Sequence, residues 1–306
     1  MKVAELEQAL LERYPLTDAE SWDHVGLSVG DPAASVTGVS CALDATEANV
    51  RAAAERGDNV LLTHHPVYIK APDCFAPASA GRPQASSALY TAARLGVSII
   101  SLHTNLDRSL EARQCLSQTL RLVALSSLEH PEDSSATGLG AICEIGPHGS
   151  SHELSLLGLA RRCAQLAHDP LCSAVSTLTC PQGRKNPREK NLSPSGEGLV
   201  SAPRVWGEPD KVCRRVAILG GSLGDFGELA IAAGCDAIVT GEAGYHVAQD
   251  LAIRGLGVIL MGHDRSEEPF VNILMESAID AGLDPALAHT ILNPRQWWTV
   301  TEGDYS

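Results

Sequence analysis

Short apolar runs alternate with helically spaced apolar positions along most of the chain. Val3, Leu6, Leu10 and Leu11 recur at helical intervals in a segment that also carries Glu5, Glu7 and Glu12, which predicts an amphipathic surface helix. Residues 21–32 mix turn formers with apolar pairs and read as a structured loop or short strand. The period then changes. Residues 36–43 read as a strand, and residues 46–56 as a helix capped by Thr46 and closed by Gly57. Residues 59–63 form a second strand running straight into His64-His65-Pro66. A further helix is expected at 86–95 and a strand at 97–102. This β-α-β-α-β order implies a largely parallel sheet covered by helices.

A similar series follows near the other end: strand 215–219, helix 225–233 closed by Gly234, strand 237–239, helix 245–254 and strand 258–261. The offset of 177 that lays Gly57 on Gly234 also lays Thr63 on Thr240. The last strand of each series ends in a histidine followed four residues later by an acid, His103/Asp107 and His263/Glu267. The pattern reads as an internal duplication, two α/β lobes of related design. The division expected is 1–125 for the first lobe and 126–306 for the second, with the C-terminal segment able to pack back on the first. Between the series, 137–145 reads as a strand, 154–167 as a helix and 173–178 as a weak strand. Residues 181–203 are polar and rich in Pro, Gly and Ser, a surface insertion whose Lys185, Arg188 and Lys190 read as solvated.

Composition narrows the classes. With 44% hydrophobic and 20% charged residues the 306-residue chain is globular rather than disordered. A net charge of −14 argues against bulk binding to nucleic acid or anionic membrane. No apolar run is long enough to span a bilayer, and the acidic N-terminal helix does not fit a signal peptide. The nine cysteines are odd in number and lack a CxxC pair, so neither a disulfide framework nor a thiolate zinc site is indicated. A reducing cytoplasm fits best.

In parallel α/β folds, side chains at the carboxyl ends of strands converge on the ligand crevice. Four polar sets occupy such ends here: His64-His65, His103 to Asp107, Thr240-Gly241-Glu242 with Tyr245-His246, and His263 to Glu267. Imidazole and carboxylate without nearby thiol are the donors expected for Zn, Mn, Fe, Co or Ni. A carboxylate can bridge two cations, which a neutral imidazole cannot. The turn Gly220-Gly221-Ser222 is either a tight turn or an anion cradle; it is neither a P-loop nor a nucleophile elbow.

Six pieces occur together and in order: Trp22-Asp23-His24-Val25-Gly26-Leu27, Thr63-His64-His65-Pro66, His103-Thr104-Asn105-Leu106-Asp107, Gly220-Gly221-Ser222, Thr240-Gly241-Glu242 with Tyr245-His246, and Gly262-His263 with Glu267. On these the chain resembles the GTP cyclohydrolase I type 2 homologues, the NIF-three-like dinuclear metal centre family. His24 stands where Asn is usual, Ser28 where a larger apolar residue is usual, and the 181–203 insertion is extra. The resemblance implies two three-layer α/β lobes with a site for two divalent ions in the crevice between them. By matching motif, His64, His65, Asp107, His263 and Glu267 would be the metal ligands, with Glu267 bridging. His103 would carry protons, and Glu242 and His246 would line the pocket. It also implies a homohexamer, a trimer of dimers. The leading functional expectation is hydrolysis of a nucleotide-like small molecule, specifically opening of the guanine imidazole ring of GTP with release of formate. A metal-dependent phosphoesterase and a non-catalytic, metal-binding interaction scaffold are the alternatives.

Overall fold

A computed structural model describes residues 1–146, 154–166 and 203–292. The expected strand at 173–178 and nearly all of the 181–203 insertion lie outside these residues. Thirteen strands are described: β1 Gly26–Val29, β2 Val39–Ala42, β3 Val60–Thr63, β4 Ser98–Ser101, β5 Leu122–Ser126, β6 Ala141–Ile145, β7 Leu154–Ser155, β8 Arg204–Trp206, β9 Val212–Cys213, β10 Arg215–Ile218, β11 Ala237–Thr240, β12 Gly257–Leu260 and β13 Ala288–Thr290. The α-helices are α1 Val3–Arg13, α2 Glu47–Arg56, α3 Gln84–Leu95, α4 Thr104–Asp107, α5 Leu110–Thr119, α6 Leu156–Leu166, α7 Phe226–Ala232, α8 Tyr245–Ile253, α9 His263–Glu267 and α10 Phe270–Asp280.

Local chemistry places the ends of these elements. Thr46 accepts a hydrogen bond from the Asn49 amide at the start of α2, and Gly57 closes that helix with φ of 91°. The first sheet runs β1-β4-β3-β2-β13 and the second β5-β6-β10-β11-β12-β8; β7 and β9 form a separate pair. The central strands are parallel: β13, β2, β3 and β4 in the first sheet, β10, β11 and β12 in the second. Antiparallel neighbours β1, β6 and β8 flank them. Register supports the internal repeat. Val39 pairs with Val60 and Val216 with Ala237, the same 177-residue offset seen in sequence. The following strands keep equivalent register, Val60 with Ser98 and Ala237 with Gly257.

Each sheet is covered on both faces because its central strands are apolar on both. Leu61 and Ile99 face α2 and α3, while Val60, Leu62 and Ile100 face inward. In the second sheet Ala217, Ile238 and Val258 face α7 and α8, while Val216, Val239 and Ile259 face inward. The two inward faces share one continuous core with α1, α5, α6 and α10. Phe270, Val271 and Leu274 of α10 are fully buried against the first sheet, each worth roughly 1.5–3 kcal/mol relative to exposure. Tyr14 hydrogen-bonds Ser277 at 2.9 Å in the same layer. The lobes are thus joined by a middle helical layer rather than a linker.

Two features depart from the periodic reading. Helices α5 and α10, which build that middle layer, are not picked out by it. The division at 125/126 falls inside β5, whose residues pair with β6 in the second sheet. From the C-terminal segment, β13 adds to the first sheet beside β2, held where the His289 imidazole meets the buried Asp58 carboxylate at 2.9 Å. Of the seven cysteines among the described residues none is in a disulfide and all but Cys74 are buried. Burial pushes the Cys213 and Cys235 thiols up to about 11. No helix among the described residues is long and apolar enough to cross a membrane.

Candidate metal centre

The carboxyl ends of β4 and β12 and the turn after β10 line a pocket of about 430 Å³ from both lobes, and the end of β3 reaches two of its lining carboxylates, Asp107 and Glu267. β3 ends at Thr63, whose hydroxyl donates to the His65 carbonyl at 2.8 Å and bends the chain there. The His64 and His65 amides continue the ladder to Ala42 and Leu43, and the two adjacent imidazoles both reach Glu267. β4 ends before His103, which precedes the single turn of α4 and brings Asp107 around. β12 leads into α9, where His263 and Glu267 share one helical face.

Four imidazoles are oriented in the same way. The Nδ1 of His64 faces the Leu102 carbonyl at 3.0 Å. The Nδ1 of His65 faces Asp44 at 2.8 Å, that of His103 faces Asp23 at 2.9 Å, and that of His263 faces Glu242 at 3.0 Å. With Nδ1–H donating to oxygen in each case, the opposite nitrogen is left as a lone-pair donor. The Nε2 atoms of His65 and His263 lie 2.9 and 3.2 Å from Oε2 of Glu267. Nε2 of His64 lies 3.6 Å from Asp107 Oδ1 and 3.8 Å from the other Glu267 oxygen.

These donors fit a metal. The His64 side chain is fully buried, its ring edge-on to Phe270, and its Nε2 has no hydrogen-bond partner. A buried imidazole nitrogen left so is costly unless something binds it. Ligand atoms about 2.1 Å from one ion stand roughly 3.4 Å apart, close to the spacings around His64. Three overlapping groups qualify: His64 with Asp107 and Glu267, His65 with His263 and Glu267, and His64 with His65 and His103. Glu267 turns one oxygen toward each of the first two.

Protons hold this cluster together where no cation does. Burial is the largest influence on His65 and pulls its pKa down, yet its hydrogen bonds to Asp44 and Glu267 prevail and raise it to about 10. The hydrogen bond to Glu267 raises His263 to about 9 against burial. Burial alone would push Glu267 up, but hydrogen bonds from His263 and His65, with the His64 imidazole nearby, hold it well below the usual range. Asp107 is pushed up, chiefly by burial. Asp23 is also opposed by burial, but His103 and Thr104 hold it at about 2.

All five residues expected as ligands, together with His103, are brought together here. The family model for Duf34/NIF3 (NGG1p interacting factor 3) matches residues 1–282. The chain belongs to this family. It is 28% identical over 284 residues to the GTP cyclohydrolase 1 type 2 homolog of Clostridium perfringens, covering 88% of each chain. It is 28% identical over 277 residues to the homolog of Streptomyces coelicolor, covering 89% of this chain and 84% of the other. Among solved structures, a Staphylococcus aureus protein matches with a TM-score of 0.72 at 22% identity, covering 98% of this chain and 99% of that one. A Bacillus cereus protein related to NIF3 matches with a TM-score of 0.73 at 18% identity over the same shares. Both show the two-lobe fold.

The structure corrects the expectation for His246. It sits on the exposed face of α8 and lines a separate hollow with Asp225, Glu228 and Asp250. A helix starting at Tyr245 points that turn away from the crevice. Glu242 does not line the 430 Å³ pocket either; it is half exposed and acts on His263, itself fixed by the Ser222 hydroxyl at 2.8 Å. Gly220-Gly221-Ser222 is a tight turn packed on Glu267. His24, in place of the usual Asn, stacks on Tyr68 with centroids 4.3 Å apart and buries an unpartnered Nε2. Sequence reasoning missed Asp44 and, as a partner of His103, Asp23. Asp44 follows the end of β2, so the rule that singled out the other strand ends applies to it equally.

Proposed function

We propose that this Duf34/NIF3 member is a hydrolase of a nucleotide-like small molecule that uses two divalent ions per chain, drawn from Zn, Mn, Fe, Co or Ni. One observation carries the reading: Glu267 directs its two oxygens to two different donor groups, as a bridging carboxylate does. His64, Asp107 and Glu267 would hold one ion, and His65, His263 and Glu267 the other. Such a pair polarises the bond under attack and lowers the pKa of water.

The chain's own groups do the rest. Asp23 accepts from His103 Nδ1, so His103 presents Nε2 as the acceptor for a proton leaving water. The Thr104 amide and hydroxyl both donate to the other Asp23 oxygen, which fixes that carboxylate. His103 lines the pocket beside Trp22, Phe226 and Leu139, a wall suited to a planar heterocycle. The specific reaction we propose is the opening of the guanine imidazole ring of GTP. One water adds at C8 and opens the ring to a formamide; a second cleaves it, releasing C8 as formate and leaving the amine.

The names of the curated relatives, GTP cyclohydrolase 1 type 2 homologs, support this choice. We further propose assembly into a hexameric ring, for which the exposed Tyr245, Val247 and Ile253 of α8 offer apolar surface; sedimentation gives the mass. The functional test is metal content per chain on fresh protein, then formate and phosphate release from a nucleotide panel with that metal restored. Formate from GTP is expected. Phosphate without formate would make the protein a phosphoesterase, and neither product would leave a binding role.

A further inference from the structure

The two groups that meet at Glu267 are built differently. His64 is fully buried and its Nδ1 donates to a neutral backbone carbonyl, that of Leu102. His65 and His263 are 21% and 39% exposed, and each donates from Nδ1 to a carboxylate, Asp44 and Glu242. Both carboxylates are 54% exposed. The Ser222 hydroxyl donates to the Glu242 oxygen that receives His263. A carboxylate behind an imidazole raises its basicity toward a metal and fixes its direction more firmly than a carbonyl does.

Resting on the dinuclear reading above, we infer that the two ion positions are unequal. The inner one, at His64, Asp107 and Glu267, is the more buried, and its histidine is braced by backbone. The outer one, at His65, His263 and Glu267, is open to solvent, and Asp44 and Glu242 are positioning residues that set its affinity and exchange. Neither carboxylate hydrogen-bonds a side chain of the inner group, so their influence falls mainly on the outer ion.

Titration of metal-depleted full-length protein with Co²⁺, followed by calorimetry and cobalt absorption, tests this. The parent should take up two equivalents in separate phases, and a chelator should strip one equivalent before the other. Asp44→Asn and Glu242→Gln should each weaken the readily stripped phase by roughly 10–100-fold and leave the other phase in place. Ser222→Ala should weaken the same phase by less, which gives a milder route to the same answer through a side chain with no ionisable group. Because Asp44 and Glu242 are exposed, their replacement leaves the core packing intact. Two equivalents that weaken together, or a readily stripped phase that ignores all three substitutions, overturns the inference and spares the dinuclear site. Fewer than two equivalents in the parent overturns the dinuclear reading and this one with it.

Discussion

The two lobes share a backbone plan but contribute opposite things to the site. Under the 177-residue offset, Asp44, His64 and His65 of the first lobe fall on Gly221, Gly241 and Glu242 of the second. In the first lobe the strand ends carry His64 and His65, and Asp107 is added from α4. In the second, glycines take two of those places, and the donors come from α9 instead. A side chain at Gly221, whose φ is +60°, would overlap Oε1 of Glu267, and one at Gly241 would crowd the His263 backbone and the Ser266 hydroxyl. Related frames thus make one site by filling one rim and emptying the other. The third position keeps an ionisable side chain but changes both its charge and its task, since His65 faces Glu267 whereas Glu242 orients His263.

The largest effect expected comes from the one carboxylate both donor groups share. Glu267→Gln should lower the affinity for both ions by more than the roughly 10–100-fold typical of outer partners and abolish turnover. His64→Ala/His65→Ala should do the same from the opposite lobe. Elemental analysis after dialysis reads both. Full metal content in the double variant would mean that the first lobe's filled rim does not hold the ions.

Next comes the emptied rim. Gly221→Ala should cost about 1–2 kcal/mol through its left-handed backbone and also displace Glu267, so metal affinity falls with stability. Gly57→Ala is the matched control: its φ is +91°, but nothing lies within 4 Å of the added methyl. It should show the backbone cost alone, with metal binding unchanged. If the two variants bind metal equally well, the emptying of the second lobe's rim has no bearing on the site.

Much of this was legible in the sequence because strands that end in donors advertise themselves. His64-His65 follows an apolar strand, and the i, i+4 spacing of His263 and Glu267 survives as a helical face. The inner faces were less legible. Helix α10 is apolar over most of its length, and an apolar run of that size carries no sign of which two sheets it will join. The 177-residue offset recurs in the register of β2 with β3 and of β10 with β11, yet it could not say that equivalent positions would hold a histidine in one lobe and a needed glycine in the other. His246 misled for a related reason. Its place after a strand end resembled the others, but it begins a helix that leaves the crevice.

Acidity should separate the metal-free from the metal-loaded site. His65 and His263 have their pKa values raised to about 10 and 9, so both are protonated at neutral pH without metal. In that state their pairing with Glu267 stabilises the fold fully below the unfolded imidazole pKa near 6.5, and this contribution fades as pH rises through about 9 to 10. A cation must displace those protons, so metal affinity should instead climb with pH over the same range. Thermal unfolding with chelator and with excess metal, scanned from pH 6.5 to 10, should give diverging curves. Parallel curves would show that these protons and the ion do not compete.

The smallest effect belongs to His246→Ala. The imidazole is exposed on α8, and the hollow it lines is framed by α7 and α8 rather than by the strand ends that carry the donors. Its nearest aromatic neighbour is Tyr245, 5.2 Å away centroid to centroid, and no buried polar group depends on it among the described residues. Truncation should therefore shift stability by no more than about 0.5 kcal/mol, as exposed substitutions do, and leave both ions and formate release as in the parent. A pH–rate profile sharpens the comparison with His103. Asp23→Asn should alter that profile by releasing the His103 ring, whereas His246→Ala should leave it in place. If His246→Ala changes the profile instead, the proton carrier lies on the second lobe, and the first lobe's strand end supplies only structure.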